Sequence, residues 1–270
     1  MVVFAGQGDA RRSMALLWRG SEQRTTRTGP GPKPGLSVDL IVDTAVAVAD
    51  EEGMAALSMR AVGERLGKTA MALYTYVPSK SELVDLMYDR VLVELPTDYD
   101  DSDGWRAAVT AWARDMWDFY LRHPWVLQVS QARPVLGPNE YVVLETVVRI
   151  LRGTGLPASA LRRVVGTLFH FVRGIASTAA EARQAAAATG MSDDEWWFTR
   201  SPLLEEVAPD FAERFPMLTR MEREGAFRNE DETVPYLEQE ARQTFRAGLG
   251  IILDGIEAAR RAEGAAPAAD

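Results

Sequence analysis

Two histidines, His123 and His170, and no cysteine are what this chain of 270 residues offers for nucleophilic or metal chemistry. Without thiols there is no disulfide framework, no cysteine nucleophile and no cysteine-ligated zinc or iron–sulfur site. Two histidines also leave a histidine-rich metal site or a Ser-His-Asp set very little to work with. Carboxylates such as Glu140 and Glu145 lie on helix faces among ordinary surface charges. No catalytic set is visible, so no enzyme activity, metal or cofactor is expected.

The chemistry that the chain does offer suits a polyanion. Gly67-Lys68 separates two short helical stretches, and the second opens Thr69-Ala70-Met71, with Tyr74 and Thr75 one turn on. Thr and Tyr hydrogen-bond to phosphates or bases, and Ala and Met contact a thymine methyl. Arg60 in the preceding helix and Lys80 at the start of the next are spaced for phosphates. The helix N-termini at Ser58, Thr69 and Ser79 add backbone donors that suit anions. Two helices joined in this way can form a helix-turn-helix, whose second helix enters the major groove N-terminus first. An ordinary bundle accounts for the same spacing, with Leu57, Val62, Leu66, Leu73 and Val77 as its core, and spacing alone leaves that alternative open.

The charge balance divides along the chain. The formal net charge is −9, which argues against nucleic acid, yet residues 1–90 hold 11 basic and 11 acidic residues. The remaining 19 basic and 28 acidic residues lie beyond them. Residues 1–36 carry Arg11, Arg12, Arg19, Arg24, Arg27 and Lys33 against Asp9 and Glu22. A basic leading end and an acidic remainder are the distribution of a chain that meets a polyanion at one end only, although a solvated tail has the same composition.

Several elements must hold these residues in place. Residues 1–35 lack helical periodicity and end in Thr28-Gly29-Pro30-Gly31-Pro32-Lys33-Pro34-Gly35, which reads as a disordered basic arm. From Ser37 the pattern is helical almost throughout. Val38, Ile41, Val42, Ala45, Val46 and Ala49 share one face, helices follow from Ser58 and Thr69, and Ser79-Lys80-Ser81-Glu82 is a capping box. An acidic loop at 97–104 separates a domain over 36–95 from one over 105–262, with helices expected near 105–122, 124–131, 138–153, 157–188, 193–199, 203–207 and 233–262. Residues 263–270 read as a disordered tail. No stretch alternates as a strand does, so the fold class is all-α. No apolar run reaches the ~18–20 residues of a membrane span, and Met14–Trp18 is too short for a signal-peptide core, so a cytoplasmic location is expected.

Residues 37–92 resemble the N-terminal domain of the TetR (tetracycline repressor) family of bacterial transcriptional regulators. The residues that carry this are Asp50-Glu51-Glu52-Gly53, then Leu57-Ser58-Met59-Arg60-Ala61-Val62-Gly63-Glu64-Arg65-Leu66-Gly67. They continue through Ala72-Leu73-Tyr74-Thr75-Tyr76-Val77 and Ser79-Lys80-Ser81-Glu82-Leu83. The resemblance implies that Ser58, Arg60, Thr69, Ala70, Met71, Tyr74, Tyr76 and Lys80 face double-stranded operator DNA, with Lys68 and Thr75 beside them. Thr75 and Tyr76 depart from an aromatic-plus-histidine pair common there, so base preference does not carry over. A basic arm of this kind can also lie along the minor groove.

The stretches His123-Pro124 to Arg133-Pro134, Tyr141 to Leu151 and Phe169-His170-Phe171 look like the C-terminal domain of the same family, which dimerises and binds an inducer. The family's magnesium-ligating histidine, four residues before Arg-Pro, is Val129 here, so magnesium–tetracycline chelation is not expected. Helix 157–188 is apolar nearly all round, with a small and polar stripe through Gly166, His170, Arg173 and Ser177. Such a stripe is either a solvent edge or a cavity lining. Trp112, Trp117, Gln128, Arg133, Asn139, Phe169, His170 and Arg173 are the candidate residues for a small-molecule effector. In the last helix, Phe245, Gly248, Leu249, Ile252 and Ile256 are the candidate homodimer face, and interior glycines, each costing a helix about 1 kcal/mol, suit a close approach of another backbone.

The expected function is a dimeric, ligand-responsive repressor released from its operator by a small hydrophobic or aromatic effector. The alternative is an all-α enzyme, or a helical scaffold with a degenerate DNA-binding domain.

Overall fold

The structure, a computed structural model, describes residues 3–19, 35–228 and 233–265. Among them the regular elements are helices, and the one strand-like feature is an isolated parallel bridge between Val3 and Val129. None of the helices is long and apolar enough to cross a membrane.

The segment expected as a disordered arm is ordered over residues 3–19. The helix α1 (Ala10–Leu17) is capped by Asp9, whose carboxylate accepts from the Arg12 amide at 2.8 Å. Its other anchors lie far along the chain, which is why no local periodicity reveals it. The Val3 amide donates to the Gln128 carbonyl at 2.9 Å and its carbonyl accepts from Ser130 at 2.7 Å. Ala5, Ser13 and Leu17 are buried. Arg24, Arg27 and Lys33 of the expected arm, and residues 266–270 of the expected tail, lie outside the described residues.

Four helices follow at the predicted places. They are α2 (Val38–Glu52), α3 (Met59–Leu66), α4 (Ala70–Tyr74) and α5 (Lys80–Val91). Ser37, Ser58, Thr69 and Ser79 cap them, each side-chain oxygen accepting an amide of the first turn. After a 3-10 turn over Leu92–Glu94 come α6 (Trp105–Arg122), a 3-10 segment Pro124–Gln128, α7 (Pro138–Arg152) and α8 (Ala158–Thr189). The helix expected near 124–131 is thus only a 3-10 segment that ends at Gln128, and beyond α8 the structure departs further from the sequence expectation. One helix, α9 (Asp193–Val207), spans the two short ones expected and holds Pro202 inside it. Short helices α10 (Phe211–Arg214) and α11 (Pro216–Arg223) precede α12 (Tyr236–Ala265).

The chain gathers into two compact units, Met1–Arg173 with Ile252–Asp270, and Gly174–Ile251. The first does not part at the acidic loop 97–104. There α5 lies against α1, α2 and α7, and α2 meets the 3-10 segment after α6. Its core holds Ile41, Leu57, Leu73, Leu83, Met87, Trp112, Phe119, Trp125, Leu151 and Leu168. In the second unit, Arg183 and Arg242 both pair with the buried Glu238 carboxylate, at 2.6 and 3.2 Å.

Three carboxylates on α5, Glu82, Asp85 and Asp89, are buried. Asp89 caps α7 from a distance, accepting from the Asn139 amide (2.9 Å), the Asn139 side chain (2.7 Å) and the Glu140 amide (3.1 Å). Asp85 accepts from the Gly6 amide at 3.1 Å. Burial, helped by the nearby Glu82 and Glu140 charges and opposed by the Gly6 amide, pushes Asp85 up to about 6 from an ordinary 3.8. The folded state therefore holds this proton more tightly than the unfolded chain, and stability rises as pH falls through 6 toward 3.8. Asp85→Asn keeps an oxygen for Gly6 and removes the buried charge. Chemical denaturation is expected to show the variant about 1–2 kcal/mol more stable at pH 8, with the gain gone near pH 4; a less stable variant at pH 8 would mean that the ionised carboxylate stabilises the fold.

Candidate nucleic-acid interface and ligand cavity

The α3–turn–α4 unit is built by short-range chemistry. Gly67 takes a left-handed conformation (φ 63°) that closes α3, and the Lys68 amide returns to the Gly63 carbonyl at 2.8 Å. The turn runs so close to α3 that a Cβ on Gly63 would stand 2.8 Å from the Lys68 carbonyl oxygen. Only glycine fits there without moving α4 away from α3. Leu73 and Val77, like Val62 of α3, are fully buried, and so fix the rotation of α4.

That rotation decides which side chains reach solvent. Met71 is 75% exposed, Tyr74 40% and Tyr76 38%. Lys68, Thr69, Thr75 and Lys80 are exposed beside them, Ala70 is half-buried, and Arg60 stands exposed on α3. Arg60 forms an exposed ion pair with Glu64 at 2.8 Å. Ser58 and Thr69 spend their hydroxyl oxygens as caps, so what they present outward is the amide end of a helix. The ten residues expected at a DNA surface thus fall on α3, α4, the turn between them and the start of α5. An exposed thioether, two phenols and two lysines on this unit suit base contact and phosphate contact.

A cavity of about 730 Å³ opens among α5, α6, α7 and α8. Phe119, Tyr120, Tyr141 and Phe169 supply aromatic wall, and Met116, Val143, Leu161 and Val165 aliphatic wall. Tyr88 and Leu92 bring α5 and the turn after it into the lining. Arg133, Glu140, Arg162 and His170 add polar groups. Burial is the main cause that raises the Tyr88 and Tyr120 phenols and the Glu140 carboxyl above their ordinary values. An apolar cavity with aromatic faces and a few polar groups fits a planar, largely apolar molecule with polar substituents.

Of the eight effector residues expected from the sequence, Arg133, Phe169 and His170 line this cavity. The other five do not. Trp112 stands edge-on behind Phe169, ring centres 5.0 Å apart, and Trp117 is buried elsewhere in the core. Asn139 is occupied by Asp89. The Gln128 backbone holds Val3. Arg173 donates to the carbonyls of Val126, Leu127 and Val129 at 3.2, 2.6 and 2.8 Å, satisfying the open end of the 3-10 segment rather than a ligand. Tyr88, Glu140 and Arg162 were missed. Tyr88 and Leu92 share a helix face at i, i+4, the available sign that α5 turns one side toward this region.

In α12, Phe245, Leu249 and Ile256 are buried within the chain, Gly248 and Ile252 are half-buried, and Ile251 is exposed. A Cβ on Gly250 or Gly255 would meet no atom within 4 Å. Among the described residues no group of three or more His, Asp or Glu side chains could hold a metal ion.

Comparisons with known proteins agree on one family. Residues 41–87 match the family described as bacterial regulatory proteins, tetR family, and residues 96–260 match the tetracyclin repressor-like C-terminal domain. The chain is 40% identical over 266 residues to the HTH-type transcriptional repressor DrrR1 of Streptomyces coeruleorubidus, covering 97% of this chain and 92% of the relative. Among solved structures it resembles the Streptomyces coelicolor TetR family protein ActR in complex with actinorhodin. The TM-score is 0.65 at 26% identity, over 88% of this chain and all of that one. ActR in complex with (S)-DNPA gives a TM-score of 0.64 at 27% identity, over 84% of this chain and 99% of that one.

Proposed function

Because the chain belongs to the tetR family of bacterial regulatory proteins, we propose that this helix-turn-helix regulator represses transcription as a homodimer and leaves its operator when a planar aromatic molecule fills the cavity. The observation that carries the effector half is the 730 Å³ cavity with Tyr88 and Leu92 in its lining. An occupant of that cavity presses on the helix that follows the reading unit, so it has a means of preferring one placement of that unit over another. Release then requires the effector to bind the DNA-incompetent placement more tightly.

ActR, which shares this fold, is known in complex with actinorhodin and with (S)-DNPA. Actinorhodin is therefore the first effector to try. For the dimer, support comes from α12, where the exposed Ile251 lies beside two interior glycines that face open space. Such a strip accepts the close approach of a second backbone. The family to which the chain belongs supports reading it as a regulator and not an enzyme.

The test is a fluorescence-anisotropy titration against the duplex upstream of the chain's own gene, with a scrambled duplex as control, at two salt concentrations. Binding about 10³-fold tighter than the control supports the reading. Equal and weak binding to both counts against it. A cavity variant separates the two halves. Gly166 lines the cavity and has open space where a Cβ would stand, and leucine there favours the helix by about 1 kcal/mol over glycine. Gly166→Leu is expected to keep operator affinity and to need at least about tenfold more actinorhodin for release, if that compound releases the native chain.

A further inference from the structure

Residues 3–19 touch both halves of the proposed switch at once. Val3 forms two backbone hydrogen bonds with Gln128 and Ser130, in the connection between α6 and α7 that supplies Val126, Val129, Ser130 and Leu136 to the cavity. The Trp18 indole donates to the Leu136 carbonyl at 3.0 Å and its ring stands 6.2 Å from that of Tyr141, another lining residue. Between these ends, the Gly6 amide sits on the buried Asp85 carboxylate of α5, and α1 lies along that helix. Finally Arg19 pairs with Asp39 on α2 at 2.5 Å.

We infer that residues 3–19 are an intramolecular clasp that ties the cavity wall over 126–141 to α5 and α2, so that a change at the wall is passed to the helices carrying the DNA reader. The inference rests on the regulator reading above and names how its site is regulated.

The physical case begins with unmet hydrogen bonds. An irregular wall has backbone groups without helix partners, and the clasp supplies three of them, at Gln128, Ser130 and Leu136. Those three attach the wall to a segment whose middle is fixed to α5. Two sides of α5 are thereby engaged: Tyr88 looks into the cavity while Asp85 holds the clasp. A wall tied in this way cannot yield to an occupant without pulling on α5, and a wall set free absorbs the occupant locally. The exposed Arg19–Asp39 pair adds little energy by itself, and the buried contacts at Ala5, Ser13 and Leu17 carry the attachment. A chain engaged along its length in these contacts is also not a floppy DNA arm, whatever Arg11 and Arg12 add from its exposed side.

Amide hydrogen exchange tests this on the full chain, on the chain lacking residues 1–19, and on Trp18→Ala, whose half-exposed side chain can be lost without opening the core. Exchange over 126–141 is expected to quicken about tenfold or more in both variants, while the buried part of α8 is unchanged. Operator binding should alter exchange at the wall in the intact chain, because linkage is reciprocal. Both variants should keep operator affinity within about threefold and lose that change. Unchanged wall exchange overturns the inference, and so does an operator-linked change that survives removal of the clasp. A fall in affinity with a flatter salt dependence would instead make the segment a DNA arm. Failure of the regulator reading looks different: the intact chain would not prefer the operator over the scrambled duplex, and the free-protein exchange would still decide whether the segment holds the wall.

Discussion

Replacing Met71 and Tyr74 together by alanine is expected to lower operator affinity by roughly 100-fold or more, with binding to a scrambled duplex and thermal stability little changed. Both side chains project from α4 into solvent, Met71 being 75% exposed and Tyr74 40%. What they lose is therefore not core, and each base contact removed costs about 1–3 kcal/mol. Leu73, which lies between them and is fully buried, serves as the internal contrast. Leu73→Ala should cost about 2–4 kcal/mol of folding stability before any effect on DNA is read. Lys80→Ala has a third outcome. As a point charge at the α5 N-terminus it should weaken operator and scrambled duplex alike and reduce the slope of log K against log salt by about 1. Anisotropy titrations at three salt concentrations separate the cases. A Met71/Tyr74 variant that loses operator and scrambled binding equally would remove α4 from base reading.

His123→Gln is expected to destabilise the fold by about 2–3 kcal/mol and to remove a pH dependence that the native chain shows near neutrality. The His123 side chain is buried between two carboxylates, with Nδ1 2.8 Å from Asp50 and Nε2 3.1 Å from Glu94. Asp50 also accepts from the Trp125 indole at 2.8 Å, and Glu94 pairs with Arg122 at 2.5 Å. Burial opposes the imidazolium, but the hydrogen bonds and charges of Asp50 and Glu94 outweigh it and raise His123 above 6.5. A cation held between two anions leaves both poorly compensated when it is removed, and the partial exposure of Asp50 and Glu94 keeps the cost below that of a fully buried pair. The sign follows from linkage. Because the folded pKa lies above the unfolded value, the stabilisation is complete below pH 6.5 and is lost as pH rises through the folded pKa. Urea denaturation between pH 6 and 9 should show stability falling in the native chain and flat in the variant, once the Asp85 contribution, which ends near pH 6, is allowed for. Equal pH profiles would mean that His123 is neutral in the fold.

Much of the reader was legible from sequence because its rules are local. Serine and threonine caps at Ser37, Ser58, Thr69 and Ser79, the left-handed Gly67, and a single apolar face per helix are all set within a turn or two of chain. The spacing of Val62, Leu73 and Val77 dictates which side of α4 turns inward, and so leaves Met71 and Tyr74 outside. The same locality gave the all-α class and the boundaries of α6 and α7 to within a residue. It does not extend to α9, one continuous helix where two are expected over 193–199 and 203–207, or to α11, which lies where no helix is expected.

What only the tertiary structure decided are matters of long-range partnership. Arg173 and Asn139 are polar side chains expected to meet a ligand, yet one is consumed by three carbonyls at the end of the 3-10 segment and the other by Asp89 of α5. Trp112 and Trp117 are buried in the core, Trp112 edge-on to Phe169, and neither lines the cavity. Residues 3–19 show no period because their placement is made by Gln128, Ser130, Asp85 and Leu136, residues that no local pattern connects to them. Sequence fixes what a residue can offer its neighbours within one helical turn; which distant donor meets which buried acceptor is settled only when helices close on one another and every polar group left inside must find a partner.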